Sequence, residues 1–169
     1  STIQAVVPLK PLDDKYKIKR IVYSTYQAVS GAGRDGIYDL ENGIKNFKES
    51  KDINIASSDN YTLKKFPYPI FNNCLPHIDV FLDNGYTKEE MKMVNETKKI
   101  FNKDIEVNAT CVRVPVLRGH SESIYIETKK PIDMDKVFDL LAHSTGIDLC
   151  DDLANQVYPM PTSFIGDEL

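Results

Sequence analysis

The chain has 169 residues, enough for one domain with a core of its own and cramped for two. Hydrophobic residues make up 41% and charged residues 27%, and a net charge of −4 comes from interspersed acids and bases, which argues against a nucleic-acid or anionic-membrane surface. No apolar run approaches the roughly 20 residues that span a bilayer, and the first residues lack the basic start and apolar stretch of a secretory signal.

Residues 2–16 carry Ala5, Leu9, Leu12 and Tyr16 at helical spacing, with Pro8 and Pro11 expected to bend or shorten the helix. Residues 18–27 are β-branched and aromatic and predict a strand. SGAGRDG interrupts regular structure, and Ile37, Leu40, Ile44 and Phe47 define a second amphipathic helix. Residues 49–69 are polar and predict a long loop. A third helix is expected over 87–101, where Thr87 and Glu90 form a capping-box signature and Tyr86, Glu90, Met93, Thr97 and Phe101 fall near one face. Residues 105–114 alternate and place Ile105, Val107, Ala109, Cys111 and Arg113 together; residues 120–128 form another strand, and the short link 115–119 suggests a hairpin. A fourth helix over 133–144 turns Met134, Val137, Phe138 and Leu141 inward and stops at Gly146, and a short strand follows at 147–150. The expected class is α+β: a single domain over 1–169 with a mixed, largely antiparallel sheet and helices on one face. Its other face must be solvated or buried against a partner.

Three cysteines (Cys74, Cys111 and Cys150) are an odd number without a CxxC pair. They argue against a disulfide framework or a zinc site and favour a reducing, cytoplasmic setting. Cys111 and Cys150 are expected as small buried hydrophobes. Cys74 has His77 three residues on, so a Cys–His nucleophile is conceivable there.

Arg113 lies on an apolar strand face, where a guanidinium needs an anionic partner. Either it forms a structural ion pair with Glu122 or Glu127, or it grips a substrate carboxylate in two-toothed geometry. His120 opens the next strand across from Arg113, where an acid/base role competes with a plain hydrogen-bonding one. Gln27 ends a strand just before a glycine turn: a surface glutamine or a ligand group. The turn Ser30-Gly31-Ala32-Gly33 could offer backbone N–H groups to an anion, although it lacks the lysine of a P-loop and does not match GxGxxG. Glu89 and Lys92 share a helix face, either as a solvated ion pair or as partners for an ammonium and an anion. Together these groups suggest a site for a small amino acid-like anion.

Several segments appear in the order found in one family: STIQ (1–4), STYQAVSGAG (24–33), FPYPIFNNCLPHID (66–79), YTKEEMKM (86–93), ATCVRVPVLRGHSE (109–122) and SFIGDE (163–168). Over essentially its whole length the chain resembles the aspartate-semialdehyde dehydrogenase family, specifically the substrate-binding and dimerisation domain. That resemblance implies a fold like the second domain of glyceraldehyde-3-phosphate dehydrogenase and a cytoplasmic homodimer. It also implies interconversion of L-aspartate 4-semialdehyde, phosphate and NADP with 4-aspartyl phosphate and NADPH through a cysteine thioester, on the route to lysine, methionine and threonine. Position by position, it makes His120 the general acid/base and Arg113 the carboxylate binder. Gln27 would orient the aldehyde or thioester, Glu89 (rather than Glu90) would meet the ammonium, and Lys92 the phosphate. Ser30 and Gly31 would touch NADP.

The family pattern is Asn-Cys-Ser-Thr-Ile-Gln, and this sequence begins at the Ser. The chain is therefore expected to continue upstream, with the nucleophile just before Ser1, and to lack the nucleotide-binding domain and the C-terminal helix. By itself it is expected neither to oxidise the semialdehyde nor to bind NADP tightly. The competing expectations are a standalone, non-catalytic dimerisation module and a sister reductase acting on N-acetyl-glutamyl phosphate. The retained charge set weighs against the first, and Glu89 against the second, whose substrate has no free ammonium.

Overall fold

The computed structural model describes residues 1–51 and 62–163. Helix α1 (Thr2–Tyr16) buries Ala5, Leu9, Leu12 and Tyr16, the stripe predicted from their spacing. It runs unbroken through Pro8 and Pro11, without the expected shortening. Each proline removes one backbone donor, but the buried stripe on one side outweighs that local loss. Lys17 closes the helix in the left-handed conformation, its N–H donating to the Asp13 carbonyl. The buried Asp13 carboxylate then accepts from the Ile18 N–H at 2.9 Å and pairs with Lys103, which turns the chain directly into the sheet.

The sheet has three strands in the order β2-β1-β3: β1 Ile18–Gln27, β2 Glu106–Arg113 and β3 Ser121–Thr128. β1 pairs parallel with β2 and antiparallel with β3. The sheet is therefore mixed, and the expected β2–β3 hairpin does not form: β1 lies between the two. The link that resembled a hairpin loop crosses the end of β1 instead. Val114 N–H donates to the Gln27 carbonyl at 3.0 Å, while Val29 and Ser30 donate to Val116 and Leu117 at 2.9 and 3.2 Å.

One sheet face carries Ile21, Tyr23, Ala109 and Cys111 and is covered by α1, α3 (Lys88–Phe101) and α4 (Met134–Ala142). Met93 and Phe101 fill it from α3, whose start is the predicted capping box: Thr87 N–H donates to the Glu90 carboxylate at 2.8 Å, and Glu90 N–H to Thr87 Oγ1 at 3.4 Å. Helix α4 contributes a rim. Val137, Leu140 and Leu141 pack partly against the core, whereas Met134 and Phe138, expected inward, are 57% and 40% exposed. A one-sided contact selects a narrower stripe than the sequence offers, and Tyr86, also expected on a buried face, stands exposed before α3.

Helix α2 (Arg34–Ser50) belongs to a second, smaller cluster with Val29, Phe66, Ile70 and Leu75. Its fully buried Asp39 carboxylate accepts from the backbone N–H groups of Lys64, Lys65 and Phe66 at 2.8–2.9 Å. Of the predicted loop 49–69, residues 49 and 50 extend α2, 62–69 are without helix or strand, and 52–61 lie outside the described residues, as do 164–168 of the SFIGDE segment. Residues 147–150 form no strand, Cys150 is half-buried there, and Gly146 serves as a left-handed turn beyond a helix that has already ended at Ala142.

Candidate active site

The topology brings three strand ends to one edge of the sheet. Gln27 is the last residue of β1 and stands in register with Arg113, the last residue of β2; β3 starts one residue after His120. The parallel pairing of β1 with β2 aligns the first two, and the crossing link returns the chain so that β3 begins beside them. A cavity of about 720 Å³ opens there, lined by Gln27, Gly31, Glu89, Lys92, Arg113 and His120 together with Ser1 and the segments 65–67 and 77–80. All five groups proposed from sequence for catalysis and substrate binding thus converge, although up to 93 positions separate them in the chain.

Arg113 is 5% exposed. Its Nη1 donates to the Ala28 carbonyl at 2.6 Å, and Nε is buried with no partner. The ion-pair alternative fails. Glu127 is taken by Lys19 and Arg20, both at 3.1 Å, and neither buried oxygen of Glu122 has a partner. Burial works against the Arg113 charge, and the nearby Glu89 supports it. The result is a held guanidinium with unspent donor capacity beside a cavity, which suits a carboxylate.

Gln27 is 2% exposed, so it is not a surface residue. Its Nε2 donates to Glu89 Oε1 at 3.2 Å and to Thr25 Oγ1 at 3.3 Å. Glu89 in turn lies 3.7 Å from the Lys92 ammonium. The neighbouring Glu90 is consumed elsewhere: besides the capping box it accepts from the Cys111 N–H at 3.1 Å. The capping box fixes which of two adjacent glutamates remains for the cavity.

His120 is half-buried, and desolvation is the largest influence holding it below 6.5; Arg113 adds to this, and Glu89 opposes. The base form therefore prevails at neutral pH. Ser1 Oγ lies 3.1 Å from Nδ1, and Gln4 donates to the His120 carbonyl at 3.0 Å. Ser1 thus orients the ring and leaves Nε2 for the cavity. Sequence reasoning missed Ser1 and Gln4 in this role, since contacts 119 and 116 residues apart leave no local signal.

The glycine turn does not form the expected anion nest. Val29, Ser30, Gly31 and Gly33 all donate their N–H groups to chain carbonyls, at 2.9, 3.2, 3.3 and 3.0 Å. These four amides are therefore engaged by the chain's own carbonyls. Gly31 instead faces the catalytic edge: a β-carbon there would stand 3.1 Å from Arg113 Nη1 and 3.4 Å from His120 Nε2.

None of the cysteines is poised as a nucleophile in this cavity. Cys111 is buried on the covered sheet face, and desolvation pushes its thiol up to about 11, in keeping with a small hydrophobe. Cys74 is exposed and does not line the cavity; His77 does, stacked on Phe81 with ring centroids 4.3 Å apart. Among the described residues no cluster of three or more His, Cys, Asp or Glu suits a metal, and no helix is long and apolar enough to cross a membrane.

The family model for the semialdehyde dehydrogenase dimerisation domain matches residues 9–168. Aspartate-semialdehyde dehydrogenases of Campylobacter jejuni and Aquifex aeolicus are 49% and 52% identical to the chain, each over 95% of it but over only 45% and 46% of their own length. The chain thus spans about half the length of the relatives it matches. A crystal structure of aspartate semialdehyde dehydrogenase II from Vibrio cholerae, complexed with ASA, superposes with a TM-score of 0.77 at 48% identity, covering 87% of this chain and 42% of that one. An aspartate semialdehyde dehydrogenase from Francisella tularensis shares the fold, with a TM-score of 0.81 over 98% of the chain. By sequence and by fold, then, the chain belongs to the semialdehyde dehydrogenase family and is its dimerisation domain.

Proposed function

We propose that this chain supplies the substrate grip and the acid/base group of an aspartate-semialdehyde dehydrogenase. The observation that carries this is the convergence of Gln27, Glu89, Lys92, Arg113 and His120 on one cavity. L-Aspartate 4-semialdehyde has a carboxylate, an ammonium and an aldehyde, and each finds a complementary group. Arg113 takes the carboxylate through the donors it does not spend on Ala28. Glu89, held by Gln27, takes the ammonium, and the Gln27 amide positions the aldehyde end. Lys92, partly neutralised by Glu89, meets phosphate.

His120 moves the proton. With Nδ1 engaged by Ser1, its neutral Nε2 accepts from a thiol and later returns the proton. The family pattern puts that thiol on a cysteine immediately before Ser1. That position is the start of α1, where the helix dipole and unpaired N–H groups favour thiolate. NADP would serve as two-electron acceptor. Ser30 and Gly31 would touch it through groups other than their amides, which the chain's own carbonyls engage.

The standalone-module alternative is disfavoured because a scaffold has no use for five charged or polar side chains aimed into one cavity. The test is NADPH formation from L-aspartate 4-semialdehyde and phosphate by the longest native chain carrying this sequence. Arg113→Lys should raise KM for the semialdehyde on the order of 10²-fold by losing the planar fork. His120→Ala should cut kcat by about 10²–10⁴. Absence of turnover in the unaltered protein would sink the proposal.

A further inference from the structure

Ser1-Thr2-Ile3-Gln4 fits the pattern of a capping box, a hydroxyl at the helix start and a Glu or Gln three residues on. At α3 the same pattern, Thr87 and Glu90, forms the box itself. At α1 it does not. Ser1 stands at the N-cap but makes no side-chain cap bond. Both polar side chains reach across to His120: Ser1 Oγ lies 3.1 Å from Nδ1, and Gln4 Nε2 donates to the backbone carbonyl at 3.0 Å. The first turn of α1 thus spends its capping groups on one residue more than a hundred positions away.

The backbone of His120 needs such a support. It stands one position outside the sheet, since the β1–β3 register ends with Tyr26 opposite Ser121. Gly119, just before it, has φ +83, so the chain turns sharply there. The strand ladder therefore stops short of the histidine. Ser1 fixes the rotation of the ring, whereas Gln4 fixes where the backbone that carries the ring sits. Gln4 does not line the cavity, so it acts on a ligand only through His120.

We propose, resting on the function proposed above, that Gln4 is a positioning residue for the reaction: its amide ties the His120 backbone to the first turn of α1 and so fixes the separation between Nε2 and the start of that helix. The thiol of the family pattern belongs to that same turn. Proton transfer between thiol and imidazole requires hydrogen-bond reach, and a small displacement of the base slows it. The grip on the substrate lies elsewhere, on Arg113 and Glu89, and does not depend on this bond.

The experiment compares Gln4→Met, Gln4→Glu and the unaltered protein in the longest native chain carrying this sequence. Methionine keeps the length and helix propensity of glutamine but cannot donate. Glutamate keeps the shape, restores the acidic form of the capping box and suits the helix dipole, but turns an acceptor towards the carbonyl. Position 4 is exposed, so Tm should not fall in either variant. Both should lose kcat on the order of tenfold with KM for L-aspartate 4-semialdehyde unchanged. A purely structural role predicts the opposite for Gln4→Glu, a Tm held or raised and kcat retained. Retention of kcat by either variant would overturn the inference, as would a raised KM at unaltered kcat or a fall in Tm that accompanies the loss of kcat in both. Failure of the unaltered protein to turn over would instead remove the dehydrogenase function on which the inference rests.

Discussion

At the residue scale, two titratable groups near the cavity are displaced from their ordinary range by burial, with opposite consequences. His120 is held below 6.5, chiefly by desolvation, with Arg113 adding to this. Since the protonated form is the one disfavoured, the base form persists as pH falls, and the acid limb of kcat/KM should lie below 6.5. Glu89→Gln removes the one influence that raises it and should move that limb lower still, whatever its effect on substrate binding. A limb at or above 6.5 in the unaltered enzyme would contradict this account. Glu122 is the opposite case. Its carboxyl oxygens are buried without partners, and desolvation pushes it up to about 7. In the folded chain it stays protonated where the unfolded chain is already ionised. Stability therefore falls as pH rises from about 4.5 towards 7, and the full penalty applies above that. Glu122→Gln should be more stable than the unaltered chain by on the order of 1 kcal/mol at pH 8, after allowance for partial solvent screening, and equal to it near pH 4.5. Urea unfolding at the two pH values checks this; a gap that does not widen with pH would refute it.

At the scale of elements, the site depends on how chain segments are pinned. Gly119 has φ +83, and a β-carbon there would meet the Pro161 β-carbon at 2.9 Å. Gly119→Ala therefore combines backbone strain with a clash, and both act on the residue before His120. A loss of about 1–3 kcal/mol in unfolding free energy is expected, together with a fall in kcat. Retention of both would mean that the link adapts freely. On the opposite wall, Asp39 gathers the amides of Lys64, Lys65 and Phe66, and through them places Lys65 and Phe66 at the cavity. Asp39→Ala should cost about 2–4 kcal/mol by leaving the buried Phe66 donor and the part-buried Lys64 and Lys65 donors without this acceptor. Denaturant titration would show it, and a change below 1 kcal/mol would mean that the segment finds other acceptors. Local chemistry predicts such elements well where the cause is local: Thr87 and Glu90 announce the start of α3 three residues apart. It failed for the supposed hairpin, because a short link between two strands is compatible both with a tight turn and with a crossing over a third strand's end.

At the scale of the whole molecule, helices cover one face of the sheet and leave the other open. Val22, Ser24 and Tyr26 of β1 share that open face with Tyr125 of β3, and Tyr26 and Tyr125 are 45% and 59% exposed. Salt bridges from Arg20 to Glu106 at 2.6 Å and to Glu127 at 3.1 Å mark one end of it. A dimerisation domain with an uncovered, aromatic sheet face points to that face as the contact between copies. Tyr125→Lys should shift sedimentation towards monomer by placing an unpaired charge there; an unchanged dimer would direct the contact to another surface.

The sequence by itself determined the α+β class, the buried stripes of α1 and α3 and the cap of α3. Those properties follow from side-chain period, local hydrogen bonding and residue type. For an arginine on an apolar strand face and a histidine at a strand start, residue type offered a carboxylate binder and a proton carrier, each beside a plain structural alternative. Only the tertiary structure decided which strand is central, that Glu90 is spent on a cap while Glu89 faces the cavity, that Ser1 orients His120, and that Gly31 faces Arg113 and His120. Each of these depends on strand pairing or on contacts between residues far apart in the chain. Such contacts are selected by burial of the whole core, and no spacing within a short window encodes them.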